Sequence, residues 1–90
     1  MIEARQFVEP AKARGFDFWA GVPCSFLTQF IIFTIGYGGL TYISSATEGD
    51  AVAAATGAAL GVHRSVAMMQ NSGLGNAVSP LTSLNYVFRI

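Results

Sequence analysis

Residues 40–61 read LTYISSATEGDAVAAATGAALG, and the fold turns on how this stretch is read. Leu40-Thr41-Tyr42-Ile43-Ser44 is rich in β-branched and aromatic side chains and is expected to form a strand. From Gly49 to Leu60 the chain becomes alanine-rich, and Gly61 offers a stop, which predicts a helix. Alanine there serves two ends: it favours the helix, and its small side chain lets the helix approach a sheet closely. A strand leading directly into such a helix is the first half of a strand–helix–strand unit, whose next strand runs parallel to the first.

The same alternation continues upstream. Leu27, Phe30, Ile31 and Ile35 share one face of a helix expected from Phe26 to Ile35, with Ser25 as its cap. Before it, Phe16-Asp17-Phe18-Trp19-Ala20 reads as a short, mostly buried strand ended by Gly21-Val22-Pro23. Ala4, Phe7, Val8 and Ala11 give the first segment a helical face that stops at Gly15. Pro10 inside that helix removes the bond to Gln6 and is expected to kink it.

Downstream, Ser65-Val66-Ala67-Met68-Met69 is expected as a third strand. His63 and Arg64, just before it, read as solvated turn residues. The glycine-spaced turn Asn71 to Asn76 leads into a fourth helix, with Asn76 or Ser79 as cap and Pro80 in its first turn. Tyr86-Val87-Phe88 then reads as the opening of a further strand. The order is α-β-α-β-α-β-α-(β), an α/β fold: part of a three-layer α/β/α domain with a parallel sheet covered on both faces. With its last strand only begun, the chain reads as a truncated piece of a domain.

Composition narrows the function classes. The 90 residues are 52% hydrophobic and 11% charged, with a formal net charge of zero and five scattered basic residues. Such a chain has no electrostatic footprint for nucleic acid. The lone Cys24 excludes an internal disulfide and a thiolate cluster for zinc, and fits a reducing, cytoplasmic compartment. The N-terminal stretch mixes charges of both signs and has no apolar core of the kind a signal peptide needs. No charge falls between Asp17 and Glu48 or between Arg64 and Arg89. Yet Pro23, Gln29 and the Gly36/Gly38/Gly39 cluster interrupt the first gap, and Gln70, Asn71, Asn76 and Asn85 the second. Neither holds the roughly 20 apolar residues of a membrane span. Buried strands and helices of an α/β protein give the same low charge.

In open parallel sheets, ligands bind beyond the carboxyl ends of the strands. Three loops reach that rim: 21–25, 46–50 and 70–76. Glu48 and Asp50 are the only acids after Asp17. Asp50 reads as a first-turn acid that complements the helix dipole and can cap amides. Two readings of Glu48 stand side by side: another first-turn acid, or a carboxylate held at a strand end for a ligand. Ser72-Gly73-Leu74-Gly75 offers backbone amides to an anion, or is simply a tight strand–helix turn. It has no P-loop lysine and no complete GxGxxG. Cys24 and Ser25 have no histidine nearby, since His63 falls at the opposite end of the sheet, so a nucleophile–histidine pair is not expected.

Taken together, the three loops are more specific than any one of them. Gly21-Val22-Pro23-Cys24-Ser25-Phe26-Leu27, then Glu48-Gly49-Asp50-Ala51-Val52-Ala53, then Met68 to Val78 (MMQNSGLGNAV) resemble the phosphonopyruvate decarboxylase family. The sulfopyruvate decarboxylase α chain is close kin. The resemblance covers all 90 residues, as the N-terminal part of the pyrimidine-binding domain of a thiamine diphosphate enzyme. It implies that Glu48 hydrogen-bonds N1′ of the cofactor's aminopyrimidine, promoting the imino tautomer that takes the proton from thiazolium C2. Asp could be too short there, and Gln could not exchange the proton. It further implies that Gln70, Asn71, Ser72 and Gly73 border the cofactor and that Cys24 and Ser25 face a 2-oxo acid substrate. Some relatives carry a histidine in the third loop; here the loop reads Met69-Gln70-Asn71.

The resemblance also implies what lies elsewhere. Mg²⁺ and the diphosphate are held in this superfamily by a separate domain with a Gly-Asp-Gly signature, absent from this sequence, in the same or another subunit. The expected protein is therefore a homo-oligomer or a two-subunit complex, and the 90 residues alone are expected to be inactive. Kept beside this reading are a sulfopyruvate decarboxylase α subunit, another 2-oxo acid decarboxylase and, from a different class, a non-catalytic α/β ligand-binding module. No arginine or lysine lies on the three loops to choose among substrates.

Overall fold

A computed structural model describes residues 2–90. The elements run α1 (Ala4–Ala13), β1 (Phe16–Gly21), α2 (Thr28–Gly36), β2 (Thr41–Ser44), α3 (Glu48–Leu60) and β3 (Arg64–Met68). A helical tail closes the chain: α4 (Val78–Pro80), a π-type turn over Leu81–Asn85 and α5 (Tyr86–Phe88) follow one another without a break. Short 3₁₀ segments, Ser25–Leu27 and Asn71–Ala77, precede α2 and α4. β1 lies between β2 and β3 and pairs parallel with both. The α/β architecture with a parallel sheet is the one the alternation predicts.

The two crossovers move in opposite directions across the sheet, from β1 out to β2 and then back past β1 to β3. With one handedness for both, α2 and α3 must cover opposite faces. Packing agrees with that geometry. On one face, Trp19 is in register with Tyr42 on one side and Val66 on the other, and α1 and α2 cover them with Val8, Phe30 and Ile31. Trp19 is fully buried, and its Nε1 donates to the Phe16 carbonyl at 2.8 Å, so its one polar atom is satisfied. Phe7 meets the indole edge-on at 6.2 Å between ring centroids. On the other face Ala20 pairs in register with Ala67, and these small side chains admit the buried Ala51 and Ala55 of α3. The Ser65 hydroxyl donates to the Ala55 carbonyl at 2.6 Å and ties helix to strand.

α1 contains Pro10 and stops just before Gly15, which takes φ +88°, as expected. Several other local expectations are corrected. α2 starts at Thr28, not Phe26, and Ser25 does not cap it. Residues 24–27 wind instead as a 3₁₀ turn, in which the Leu27 N–H and the Thr28 hydroxyl both donate to the Cys24 carbonyl, at 3.1 and 3.2 Å. α3 begins one residue early, at Glu48, because the Thr47 hydroxyl accepts from the Asp50 N–H at 3.2 Å. Thr47, and not Asp50, is thus the cap. Arg64 belongs to β3, where its guanidinium lies 5.4 Å from the Phe16 ring centre and donates to the Arg14 carbonyl at 3.0 Å. His63 stays exposed but sits 3.1 Å from the Asp17 carboxylate.

The expected fourth strand does not form: Tyr86-Val87-Phe88 is helical. Pro80 holds φ −65°, already helical, and the hydroxyls of Thr82 and Ser83 donate back to the Val78 and Ser79 carbonyls, so the winding propagates through this segment. Asn85 then anchors the tail by donating to the Thr56 hydroxyl at 2.8 Å. The β-rich triplet carries only a weak intrinsic preference against those bonds. Neither Asn76 nor Ser79 caps the tail. Among the described residues, no helix is long and apolar enough to cross a membrane.

Val62, just past α3, is 93% exposed and takes φ +71°, a conformation costly for a β-branched residue that gains no packing in return. Val62→Gly is expected to raise unfolding stability by about 1 kcal/mol, read as a higher urea midpoint at unchanged slope.

Candidate active site

Gly21 is in register with Ser44 on one side and Met68 on the other, so the three strands end at one level. Their following loops therefore leave from a single rim. The β1 loop departs toward α2. The β2 and β3 loops depart to the other face, where α3 packs against the Asn71–Ala77 segment and α4. Where loops part in this way, open parallel sheets commonly take their ligands at the carboxyl edge.

Glu48 stands at the first position of α3, on that rim, and is only 8% exposed. A carboxylate so nearly buried needs hydrogen bonds or a helix dipole to offset its lost hydration, and it has both. It sits in the first turn of a helix of 13 residues, and Asn76 Nδ2 donates to its Oε1 at 2.8 Å. Oε2 has no hydrogen-bond partner among the described residues, and it is not one of the buried atoms left unpartnered. It is the oxygen open to a ligand.

Two glycines make this arrangement possible. A Cβ on Gly73 would lie 3.1 Å from Glu48 Oε2 and, closer than real side chains stand, 2.5 Å from Cγ and 2.8 Å from Cδ. A Cβ on Gly49 would lie 2.9 Å from the Asn76 carbonyl oxygen. The first turn of α3 and the Asn71–Ala77 segment therefore interlock, each passing through space that only glycine leaves free on the other.

The other candidates are placed less centrally. Gln70, Asn71 and Ser72 are exposed at the start of the same 3₁₀ segment, where the Gln70 carbonyl accepts from the Gly73 N–H at 2.9 Å. Cys24 is half-buried and Ser25 exposed, both on the β1 loop. The structure brings together Glu48 and Gly73, with Gln70 to Ser72 beside them, and leaves Cys24 and Ser25 on the loop that diverges toward α2. Asn76, read from the sequence as a helix cap, turns out to be the residue bonded to Glu48. The sequence signal was an asparagine three places after Gly73, but spacing alone does not say which acid it meets. Among the described residues, no group of three or more His, Cys, Asp and Glu could hold a metal ion. A cavity of about 650 Å³, lined by Phe26, Phe30 and Phe33, lies between α1 and α2 rather than at Glu48.

A parallel sheet with its loops gathered on one rim makes this an α/β domain, and the sequence relatives of this one are decarboxylases. More narrowly, the chain is related along its whole length to phosphonopyruvate decarboxylase. It is 44% identical over all 90 residues to the phosphonopyruvate decarboxylase of Streptomyces viridochromogenes and 42% identical to that of Streptomyces hygroscopicus. It spans 23% and 22% of those proteins, under a quarter of their length. It is also 34% identical to the sulfopyruvate decarboxylase subunit alpha of Methanococcus maripaludis over 76 residues, which are 84% of this chain and 46% of that subunit. No family model matches the chain.

Gly73→Ala is expected to cost about 1–3 kcal/mol of stability, since the new methyl must displace the Glu48 side chain or part the two segments. Denaturant unfolding of the variant checks this.

Proposed function

We propose that this chain is the N-terminal part of the pyrimidine-binding domain of a thiamine diphosphate-dependent 2-oxo acid decarboxylase, most specifically one acting on 3-phosphonopyruvate. One observation carries the reading: a nearly buried carboxyl group on the sheet's carboxyl rim, with one oxygen held and the other free. That is what a weakly basic ring nitrogen requires of its partner, since the group must both accept and return a proton at a fixed position. The glycine contact supports the fit as well. Because residue 73 has no side chain, the Glu48 side chain can lie against that segment and hold its carboxyl at the rim.

When bound, the cofactor would supply the electron sink for loss of carbon dioxide from a 2-oxo acid. The chain's own part is narrower. Glu48 holds and exchanges the proton through Oε2, and Gly73 leaves room for the Glu48 side chain. Gln70, Asn71 and Ser72 border the ring, and the β1 loop, with Cys24 and Ser25, brings polar groups to the substrate side. In this reading Mg²⁺ and the diphosphate are held by a second domain, of the same or another subunit, in a cytoplasmic oligomer. The phosphonate substrate is preferred over the sulfonate because whole-length identity to phosphonopyruvate decarboxylases, at 42–44%, exceeds the 32–34% to sulfopyruvate decarboxylase alpha subunits.

In the complete enzyme, Glu48→Gln should slow C2–H exchange of bound thiamine diphosphate by at least about a hundredfold, because the amide cannot pass a proton to the ring. Proton exchange followed by NMR reads this directly. Exchange at the wild-type rate would remove Glu48 from the role.

A further inference from the structure

A carboxyl group turning freely about its Cγ–Cδ bond would offer either oxygen to a ligand. That of Glu48 is not free. Asn76 Nδ2 occupies a lone pair of Oε1 at 2.8 Å, and Cγ, Cδ and Oε2 lie where a side chain on residue 73 would stand. The Asn76 main chain also runs close to the first turn of α3, its carbonyl oxygen occupying the space a Cβ on Gly49 would need, so the amide that donates starts from a backbone packed against the same helix. An amide N–H also imposes a direction: it donates only, so Oε1 must remain an acceptor.

We propose that Asn76 is a positioning residue that makes the two oxygens of Glu48 unequal. This rests on the reading of Glu48 as the cofactor's proton partner. By donating to Oε1, Asn76 makes that oxygen the less basic of the two and favours the proton on Oε2. It also sets the carboxyl plane so that Oε2 faces the rim. The exchange is then a single balanced transfer: the Oε2–H bond breaks as a bond to the ring nitrogen forms, and the same proton returns by the same path. Asn76 touches neither cofactor nor substrate in this role. Its side chain lies at an exposed position, so replacing it does not open the core.

The test compares Asn76→Ala, Asn76→Asp and Glu48→Gln in the complete enzyme. Two readouts are taken: the Kd of thiamine diphosphate for cofactor-free protein, by equilibrium dialysis with Mg²⁺, and C2–H exchange of the bound cofactor, by NMR. Asn76→Ala should slow exchange about tenfold while shifting Kd by less than about threefold, because it loosens the orientation of a group that remains present. Asn76→Asp, of the same shape but without the donor, should slow it at least as much. Adding Asn76→Ala to Glu48→Gln should cause no further loss, since the two residues act as one unit. Wild-type exchange in both Asn76 variants, beside slow exchange in Glu48→Gln, would overturn the role of Asn76 and leave Glu48 in place. Equal losses in exchange and cofactor affinity would also overturn it, as the mark of a merely structural residue. Wild-type exchange in Glu48→Gln would instead sink the reading beneath it.

Discussion

The first turn of α3 and the Asn71–Ala77 segment approach each other so closely that neither Gly49 nor Gly73 can carry a side chain without displacing the other segment. That contact is the constraint on which the rest of the rim depends. It buries Glu48 although the residue opens a helix, where an acid is usually solvated, and it brings Asn76 within 2.8 Å of the carboxyl. It also sets the path of the tail, whose Asn85 closes against Thr56 farther along the same helix. The sheet contributes the other half of the constraint. Because Gly21, Ser44 and Met68 share one register, the three loops begin at a common level and Glu48 has a rim to stand on.

Much of this was legible in the residues. The β-rich run Leu40–Ser44 followed by an alanine-rich helix gave the parallel crossover, and the glycines after β1 and β3 marked loops at one sheet edge. What escaped the sequence was decided by bonds between distant or competing groups. Ser25 looks like a cap, but Thr28 and Leu27 take up the Cys24 carbonyl first and tighten the turn. Tyr86-Val87-Phe88 looks like a strand, but the helix entered at Val78 continues through hydroxyl bonds and the Asn85–Thr56 anchor. Local propensity is weak where a tertiary contact competes with it.

Glu48 illustrates the same limit at the site. Sequence position left it divided between an ordinary first-turn acid and a ligand-holding carboxyl. Its neighbours in the chain, Thr47 and Gly49, could not decide, since the residues that bury it lie 25 and 28 positions downstream. Asn76 was invisible as a partner for that reason.

The central claim is that Oε2 of Glu48 is the atom that meets the cofactor. A crystal structure of the complete enzyme with thiamine diphosphate and Mg²⁺ tests it most directly. The account predicts Oε2 at hydrogen-bond distance from N1′ of the aminopyrimidine, about 2.5–3.2 Å, with Asn76 still donating to Oε1. A cofactor whose N1′ faces another group, with both Glu48 oxygens out of reach, would contradict it.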